Sequence, residues 1–173
     1  MRYLFIFDFD DTLGDYSVYN TWIYRTGCTR LKPLGGLIRG SREVLDRMKE
    51  DGVDLYMLTL NIVLDEERKR RKLDRLDLDR WFRPGRVHMV RKKTPEVIRE
   101  ICLGRDPSDC YMVGNSYTHD IRPALKAGIN AIFIPRPFPK RLMAPLVPRK
   151  RGLFVIRDMN ELMELYSRIR QKG

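Results

Sequence analysis

Residues 4–13 read LFIFDFDDTL, an apolar run that ends in closely spaced carboxylates. In an extended chain the side chains of Asp8 and Asp10 leave the backbone on the same side, opposite to the phenylalanines beside them. Two carboxylates about 4 Å apart repel each other by roughly 4 kcal/mol at an effective dielectric constant near 20, so such a pair needs a cation or a proton. A divalent metal ion would meet this need. A solvated acidic turn at the end of a buried strand is the alternative.

The composition indicates a folded domain of ordinary size with a basic surface. The chain has 173 residues, and its content of 43% hydrophobic and 10% aromatic residues is incompatible with a disordered chain. Its net charge of +11 indicates a surface that attracts anions such as phosphorylated metabolites or nucleic acid. A surface that merely favours lysine and arginine explains the same charge.

The number and spacing of the cysteines and the hydropathy of the chain indicate its cellular compartment. Three cysteines without a C-x-x-C pair predict neither a disulfide framework nor a zinc site. No apolar run approaches the roughly 18 residues that a membrane-spanning helix needs. We therefore expect a cytoplasmic protein that does not associate with membranes.

Strand-like and helix-like segments alternate along the chain, which predicts an α/β fold with a mostly parallel central sheet and helices on both faces. The predicted strands are 3–9, 53–60, 87–90, 110–113 and 129–134, and the predicted helices are 41–51, 64–80, 94–103, 121–127 and 158–169. We interpret residues 1–173 as one domain. Segment 14–40 is interpreted as a small irregular flap or cap-like insertion, and segment 135–151, rich in proline and basic residues, as a surface loop.

Polar side chains lie where the predicted strands end. They are Asp8, Asp10, Thr12, Thr59, Asn61, Lys92, Lys93, Asn115, Ser116 and Asp120. Ligands of open parallel sheets bind beyond the carboxyl ends of the strands, so we expect these distant segments to form one site. The acids and an amide would hold an oxygen-loving cation, while a hydroxyl and an ammonium group would hold a phosphoryl group.

Four of these segments resemble the motifs of the haloacid dehalogenase (HAD) superfamily, and within it the phosphatases. DFDDTL resembles the first motif, D-x-D-x-T; Thr59 resembles the second, and Lys92 in KKTPE the third. VGNSYTHDIRPALKAG at 113–128 is similar to the fourth, acidic motif. The chain looks most similar to the small, cap-poor magnesium-dependent phosphatases. The resemblance implies a Rossmann-like HAD fold with a minimal cap or none.

The resemblance also implies a Mg2+-dependent phosphomonoester hydrolase that acts through an aspartyl-phosphate. Asp8 would be the nucleophile, and Asp10 would protonate the leaving oxygen and then deprotonate the attacking water. The implied substrate-binding residues are Thr59, Asn61 and Lys92, and the implied Mg2+ ligands are Asp8, Asp10 (through its backbone carbonyl), Asn115 and Asp120.

Two positions depart from the usual motifs or leave a choice. Asn115 stands where an acid is usual, which lowers the negative charge of the metal site by one and makes Asp120 the candidate for the main anionic ligand of its loop. Of two adjacent lysines, we select Lys92 over Lys93, because Lys92 stands three residues before Pro95 in the usual K-x-x-P spacing.

The interval 14–40 has only 27 residues, which leaves no room for a substantial cap. An open site predicts a bulky substrate, such as a phosphoprotein or a nucleic-acid end, or a partner subunit that covers the site; a small phosphorylated molecule also remains open. The alternative function is a catalytically weak binding module for RNA or another anionic partner, or a polynucleotide 3′-phosphatase. The basic run 69–72 is interpreted as a solvated helix face, and His119 as a solvated or capping residue.

Overall fold

The computed structural model describes residues 2–16, 22, 25, 35–61, 66–136 and 150–171. The strands are β1 (Leu4–Phe7), β2 (Gly14–Asp15), β3 (Gly36–Leu37), β4 (Asp54–Leu60), β5 (Val87–Val90), β6 (Cys110–Gly114), β7 (Asn130–Phe133) and β8 (Leu153–Val155). Six of them form one sheet in the order β5-β4-β1-β6-β7-β8, with every neighbouring pair parallel. β2 and β3 form a separate antiparallel pair. The predicted α/β fold with a parallel central sheet is confirmed.

Helices cover both faces of the sheet. Those with described bounds are α1 (Ser41–Glu50), α2 (Glu66–Asp74), α3 (Pro95–Ile101), α4 (Arg122–Ala127) and α5 (Met159–Gln171), with a π-helical turn at Tyr117–Ile121 and 3-10 turns at Leu78–Arg80 and Pro107–Asp109. Residues of α1 and α5 pack in one core layer, and residues of α3 and α4 pack in the other. Among the described helices, none combines the length and the apolar composition needed to cross a bilayer.

The alternation of side chains along β1 divides the core into these two layers. Phe5 and Phe7 lie in the layer of α1 and α5, where Phe5 meets the ring of Tyr166 edge-on at 5.8 Å between centroids. Leu4 and Ile6 lie in the opposite layer. Because β1 is central and covered on both sides, all four of its residues are buried. This packing fixes the position of the carboxyl end of β1.

The elements predicted from the sequence are largely present, with local differences. β8 has no sequence signal of its own, because three residues are too few to show an alternation. The predicted helix 64–80 is divided into α2 and a later 3-10 turn. Ser41, the expected N-cap of α1, is its first helical residue, and Gly40 takes the cap position with a φ of 86°, which glycine adopts without strain. Thr94 caps α3 as expected, since its hydroxyl accepts from the Val97 N–H at 3.4 Å.

Two predicted segments lie partly outside the described residues. Of segment 14–40, residues 14–16, 22, 25 and 35–40 are described, and of segment 135–151, residues 135, 136, 150 and 151. Their interpretation as a flap and a surface loop, the minimal cap and the single domain over 1–173 stay predictions.

Candidate active site

The turn after β1 brings the first-motif acids to the carboxyl end of the sheet. The Asp8 N–H donates to the Val113 carbonyl of β6 at 2.9 Å, which continues the parallel ladder one residue beyond β1. The chain then turns tightly: the N–H groups of residues 12–14 all donate to the Phe9 carbonyl, at 3.2, 3.0 and 2.9 Å. Asp10 lies within this turn, beside Asp8.

Asp8 is a buried carboxylate with a hydrogen-bond donor at each oxygen. Only 6% of the residue is exposed. Lys93 Nζ donates to Oδ1 at 2.5 Å, and Thr12 Oγ1 donates to Oδ2 at 3.1 Å. Burial raises the pKa of Asp8 to about 6, although the charge of Lys93 opposes this shift. At neutral pH the side chain is therefore mostly ionised, which is the nucleophilic form.

The lysine that reaches the carboxylates is Lys93, and the choice of Lys92 from the sequence is wrong. Lys93 is buried and also donates to Asp120 Oδ1 at 2.7 Å, whereas Lys92 is exposed. Neighbouring side chains of a non-helical segment diverge, so only one of the two lysines faces the site. Burial lowers the pKa of Lys93, but the charges of Asp120 and Asp8 outweigh burial and raise it above the usual value.

The π-helical turn after β6 carries Asp120, which is almost fully buried. Its Oδ1 accepts from Lys93, and its Oδ2 accepts from the Ser116 N–H at 2.8 Å. Gly114 permits this close packing, because a Cβ at that position would overlap the Asp120 side chain. One lysine thus joins the carboxylates of the first and fourth motifs.

The end of β4 carries polar atoms without partners among the described residues. Thr59 is fully buried and lies two residues beyond Met57, the register partner of Phe7. Within the described ranges, neither Thr59 Oγ1 nor Asn61 Oδ1 has a hydrogen-bond partner. An unsatisfied buried polar group costs about 1–3 kcal/mol, and a ligand that hydrogen-bonds to these atoms would recover that cost.

Two lysines of α2 are buried against Asp10, and the interpretation of 69–72 as a solvated face is wrong for both. The exposed fractions are 1% for Lys69 and 0% for Lys72. Lys69 Nζ donates to Asp10 Oδ2, and Lys72 Nζ donates to Asp10 Oδ1 at 3.2 Å. The two arginines between them are exposed and pair with glutamates of the same helix. The three-residue spacing indicates that both lysines share a face, but nothing in the sequence shows that this face is buried.

The lysines of α2 hold Asp10 in its ionised form. Burial raises the pKa of Asp10, but the charges of Lys69 and Lys72 outweigh burial and lower it below the usual value. The ring centroid of Phe9 lies 5.2 Å from Lys69 Nζ, and that of Tyr16 lies 4.6 Å from Lys72 Nζ. Charge and aromatic contact therefore connect α2 to the first motif.

The oxygen donors of the site are of the kind that Mg2+ prefers. They are the Asp8 and Asp120 carboxylates, the Asp10 backbone carbonyl and the Asn115 side-chain oxygen. Asn115 Nδ2 donates to the Arg136 carbonyl at 3.0 Å, which orients the amide, and no described residue donates to its Oδ1. Within the described ranges, no group of three or more His, Cys, Asp or Glu side chains is arranged around a metal position. Because Mg2+ commonly uses one or two carboxylates together with waters and substrate oxygens, this donor set fits it.

The structure brings most of the predicted site residues to one edge of the sheet. Those at the edge are Asp8, Asp10, Thr59, Asn61, Asn115 and Asp120. His119 is exposed, which agrees with its interpretation as a solvated residue. Ser116 is the residue that caps this turn, because its side chain accepts from the His119 N–H. Lys93, Lys69 and Lys72 are the residues of the site that sequence reasoning did not select.

Solved structures share this fold at low sequence identity. D,D-heptose 1,7-bisphosphate phosphatase from B. bronchiseptica, complexed with magnesium and phosphate, superposes with a TM-score of 0.74 at 17% identity, with 100% of both chains covered. A haloacid dehalogenase-like family hydrolase from Xanthomonas campestris has a TM-score of 0.70 at 16% identity, with 91% of both chains covered. A HAD hydrolase of family IA, variant 3, from Entamoeba histolytica has a TM-score of 0.70 at 14% identity, covering 93% of this chain and 95% of that one.

These comparisons confirm the fold implied by the motifs: the chain has the Rossmann-like fold of the HAD hydrolases. Neither a comparison with protein-family models nor one with curated proteins finds a match. At these identities the shared feature is the fold, so the chemistry has to be argued from the residues of this chain.

Proposed function

We propose that the protein is a Mg2+-dependent phosphomonoester hydrolase that acts through an aspartyl-phosphate on Asp8. The observation that carries this proposal is the setting of Asp8, a buried carboxylate at the carboxyl end of the central strand that is held by Lys93 and Thr12. Thr59 lies one residue before the end of the neighbouring strand β4, and its hydroxyl lacks a partner among the described residues. A carboxylate nucleophile with an ammonium group and a hydroxyl nearby suits attack on phosphorus.

The reaction would proceed in two displacements at phosphorus. In the first, an Asp8 oxygen forms a bond to phosphorus as the ester P–O bond breaks, and the alcohol oxygen leaves with the electron pair and takes a proton from Asp10. In the second, a water oxygen attacks phosphorus, Asp10 accepts the proton of that water, and inorganic phosphate leaves as Asp8 is regenerated. Lys69 and Lys72 lower the pKa of Asp10 and favour its ionised form, which suits the acceptance of the water proton in the second displacement. The proton that Asp10 accepts there is the one that it would donate to the leaving oxygen in the next cycle.

The other residues of the site would bind the phosphoryl group and the metal ion. Lys93, Thr59 and Asn61 would hold the oxygens of the transferring phosphoryl group, whose negative charge is spread over them in the transition state. Asp8, Asp120, Asn115 and the Asp10 backbone carbonyl would hold Mg2+. The bound ion would reduce the repulsion between a carboxylate nucleophile and an anionic ester.

Turnover of p-nitrophenyl phosphate with and without Mg2+ tests this proposal. We expect release of p-nitrophenol that requires Mg2+ and stops when EDTA removes it, because Asp8 cannot approach an anionic ester without charge neutralisation. Adding excess Mg2+ after EDTA should restore the rate. The proposal fails if neither this ester nor a panel of phosphorylated compounds is hydrolysed in the presence of Mg2+.

A basic surface that begins beside the site and extends along α4 favours a nucleic-acid end as one candidate substrate. A cavity of about 350 Å3 next to Lys93 is lined by Arg122 and Lys126. The same two residues line a second cavity of about 850 Å3 together with Lys150 and Arg151, toward the amino ends of β6, β7 and β8. Four of these lining side chains are exposed, and none of the four forms an ion pair with a described acid: Arg122, Lys126, Lys150 and Arg151. Such a series of cations suits the phosphate backbone of a polynucleotide, which supports a 3′-phosphatase.

Hydrolysis of a 3′-phosphorylated oligonucleotide in the same assay distinguishes a polynucleotide 3′-phosphatase from a binding module. Faster hydrolysis of the oligonucleotide than of p-nitrophenyl phosphate at low salt, declining as salt rises, would support the 3′-phosphatase. Salt-sensitive RNA binding without turnover of either substrate would instead support the alternative of a binding module.

A further inference from the structure

We propose that the basic surface along α4 is a groove that binds a single-stranded polynucleotide whose 3′ end enters the active site. The groove consists of the two cavities that share Arg122 and Lys126, and it includes Lys150 and Arg151 before β8. We call it the α4 groove. This inference rests on the proposed function and specifies the substrate class of the same site: an unpaired strand rather than a small ester or the end of a duplex.

The exposed cations of the α4 groove pair with no acid among the described residues. Arg122 and Lys126 lie one turn apart on the same face of α4, and like charges at this spacing repel each other. Elsewhere on the described surface, arginines such as Arg70 and Arg157 pair with glutamates four residues away. A bound anion would relieve the repulsion that the groove leaves uncompensated.

One carboxylate, that of Asp106, also lines the larger cavity. Its Oδ1 accepts from the Ser108 hydroxyl at 2.7 Å and from the Ser108 N–H at 2.8 Å. These hydrogen bonds hold the carboxylate at the amino end of β6. Against the cations that line the same cavity, this single acid leaves the charge of the groove positive.

The α4 groove extends along the length of β6. It begins beside Lys93 at the carboxyl end of the sheet and reaches Ser108, which precedes the amino end of this strand. The five residues of β6 span about 16 Å. A single phosphate ion cannot contact cations distributed over this distance, whereas the successive phosphates of a nucleic-acid strand can.

Two features favour a single strand over a duplex. Asp8 is buried, so a terminal phosphate reaches it only if the end of the strand enters the site, and a duplex is too stiff to bend into it. Tyr117 lines the larger cavity, is partly buried, and is held edge-on to Phe133 at 6.2 Å between ring centroids. An aromatic ring beside a series of cations suits unpaired bases, which stack on such rings.

Fluorescence anisotropy with a labelled single strand that ends in a 3′-hydroxyl tests the groove without catalysis. A plot of log affinity against log salt concentration should have a slope of about −2.8, because each of four phosphate contacts contributes about −0.7. Lys126→Met and Arg151→Met should each weaken binding about fivefold at low salt and reduce the size of the slope by about 0.7. Arg168→Met is the matched control, because it removes one exposed charge from α5 on the opposite face of the sheet and should leave the slope unchanged.

Two further measurements use the acid of the groove and the reaction itself. Asp106→Asn keeps an oxygen that accepts from Ser108 but removes a negative charge, so it should strengthen binding of the strand. In turnover with Mg2+, Lys126→Met should raise KM for a 3′-phosphorylated single strand about fivefold with little change in kcat. A fully paired duplex with the same 3′-phosphate should be hydrolysed more slowly than the single strand.

Several results would overturn the inference. They are an affinity that does not depend on salt, equal effects of the groove variants and Arg168→Met, weaker binding by Asp106→Asn, and a preference for the duplex. If the wild-type protein hydrolyses p-nitrophenyl phosphate but any of these results is found, the inference alone fails. If the strand binds through the groove but no phosphate ester is hydrolysed in the presence of Mg2+, the proposed function fails and the groove belongs to a binding module.

Discussion

Asp8→Asn is expected to lower kcat for p-nitrophenyl phosphate by at least about 1,000-fold. An uncharged amide does not attack phosphorus, so the aspartyl-phosphate cannot form. The shape of the side chain is nearly unchanged, and Lys93 keeps its ion pair with Asp120. Burial already disfavours the charge of Asp8, as its pKa of about 6 indicates, so we expect the fold to persist.

Steady-state kinetics and mass spectrometry of the acid-quenched enzyme measure this effect. The wild-type protein should gain one phosphoryl group during turnover, and Asp8→Asn should gain none. Asp74→Asn makes the same chemical change at an exposed position at the end of α2, and it should retain the wild-type rate. Wild-type turnover by Asp8→Asn would show that Asp8 is not the nucleophile.

Lys93→Met and Lys92→Met are expected to differ strongly, although the two residues are adjacent. Lys93→Met removes the ammonium group that pairs with Asp8 and would hold a phosphoryl oxygen, so we expect kcat for p-nitrophenyl phosphate to fall about 100-fold. Lys92 is exposed, and its substitution should leave the rate within roughly threefold of wild type. A larger loss of kcat in Lys92→Met than in Lys93→Met would instead identify Lys92 as the lysine of the third motif.

Lys93→Met should also change stability in a metal-dependent way. It leaves Asp8 and Asp120 buried without the cation that now joins them, and breaking a buried pair on one side costs about 3–5 kcal/mol. We expect a lower thermal midpoint in EDTA and a larger gain on adding Mg2+ than in wild type, because two uncompensated carboxylates attract the ion more strongly. Equal gains in both proteins would place the ion away from these carboxylates.

The parallel sheet is predictable because its signals are local and repeated. Buried strands in such a sheet are short apolar runs, and the helices between them carry their own stop signals, such as Gly128 after α4. Ligands of open parallel sheets bind beyond the carboxyl ends of the strands, and this rule predicts that motifs far apart in the sequence form one site. It correctly places Asp8, Thr59 and Asp120 at one edge of the sheet. β8 escapes this reasoning, because a three-residue edge strand is defined by its pairing with β7 and not by its own pattern.

The burial of Lys69 and Lys72 cannot be predicted from the sequence of α2 alone. A helix with so many charged residues is predicted to be exposed to solvent, and this is correct for Arg70 and Arg71. Lys69 and Lys72 are buried only because another part of the chain, the turn after β1, places Asp10 and two aromatic rings against that face. Favourable partners over long sequence distances decide whether a buried ammonium group is tolerated, and spacing within one helix does not reveal them.

The sequence by itself determines the arrangement of helices on both sides of a parallel sheet, because hydrophobic periodicity and backbone direction are set within a few residues. It also determines which strand ends share the carboxyl edge and identifies the acids of the first and fourth motifs. Tertiary structure decides which of two adjacent lysines enters the site, and that Asp10 is held by α2. Those outcomes depend on the close packing of side chains from segments far apart in the chain, where a single ammonium group can satisfy two carboxylates and a single carboxylate can bind two lysines.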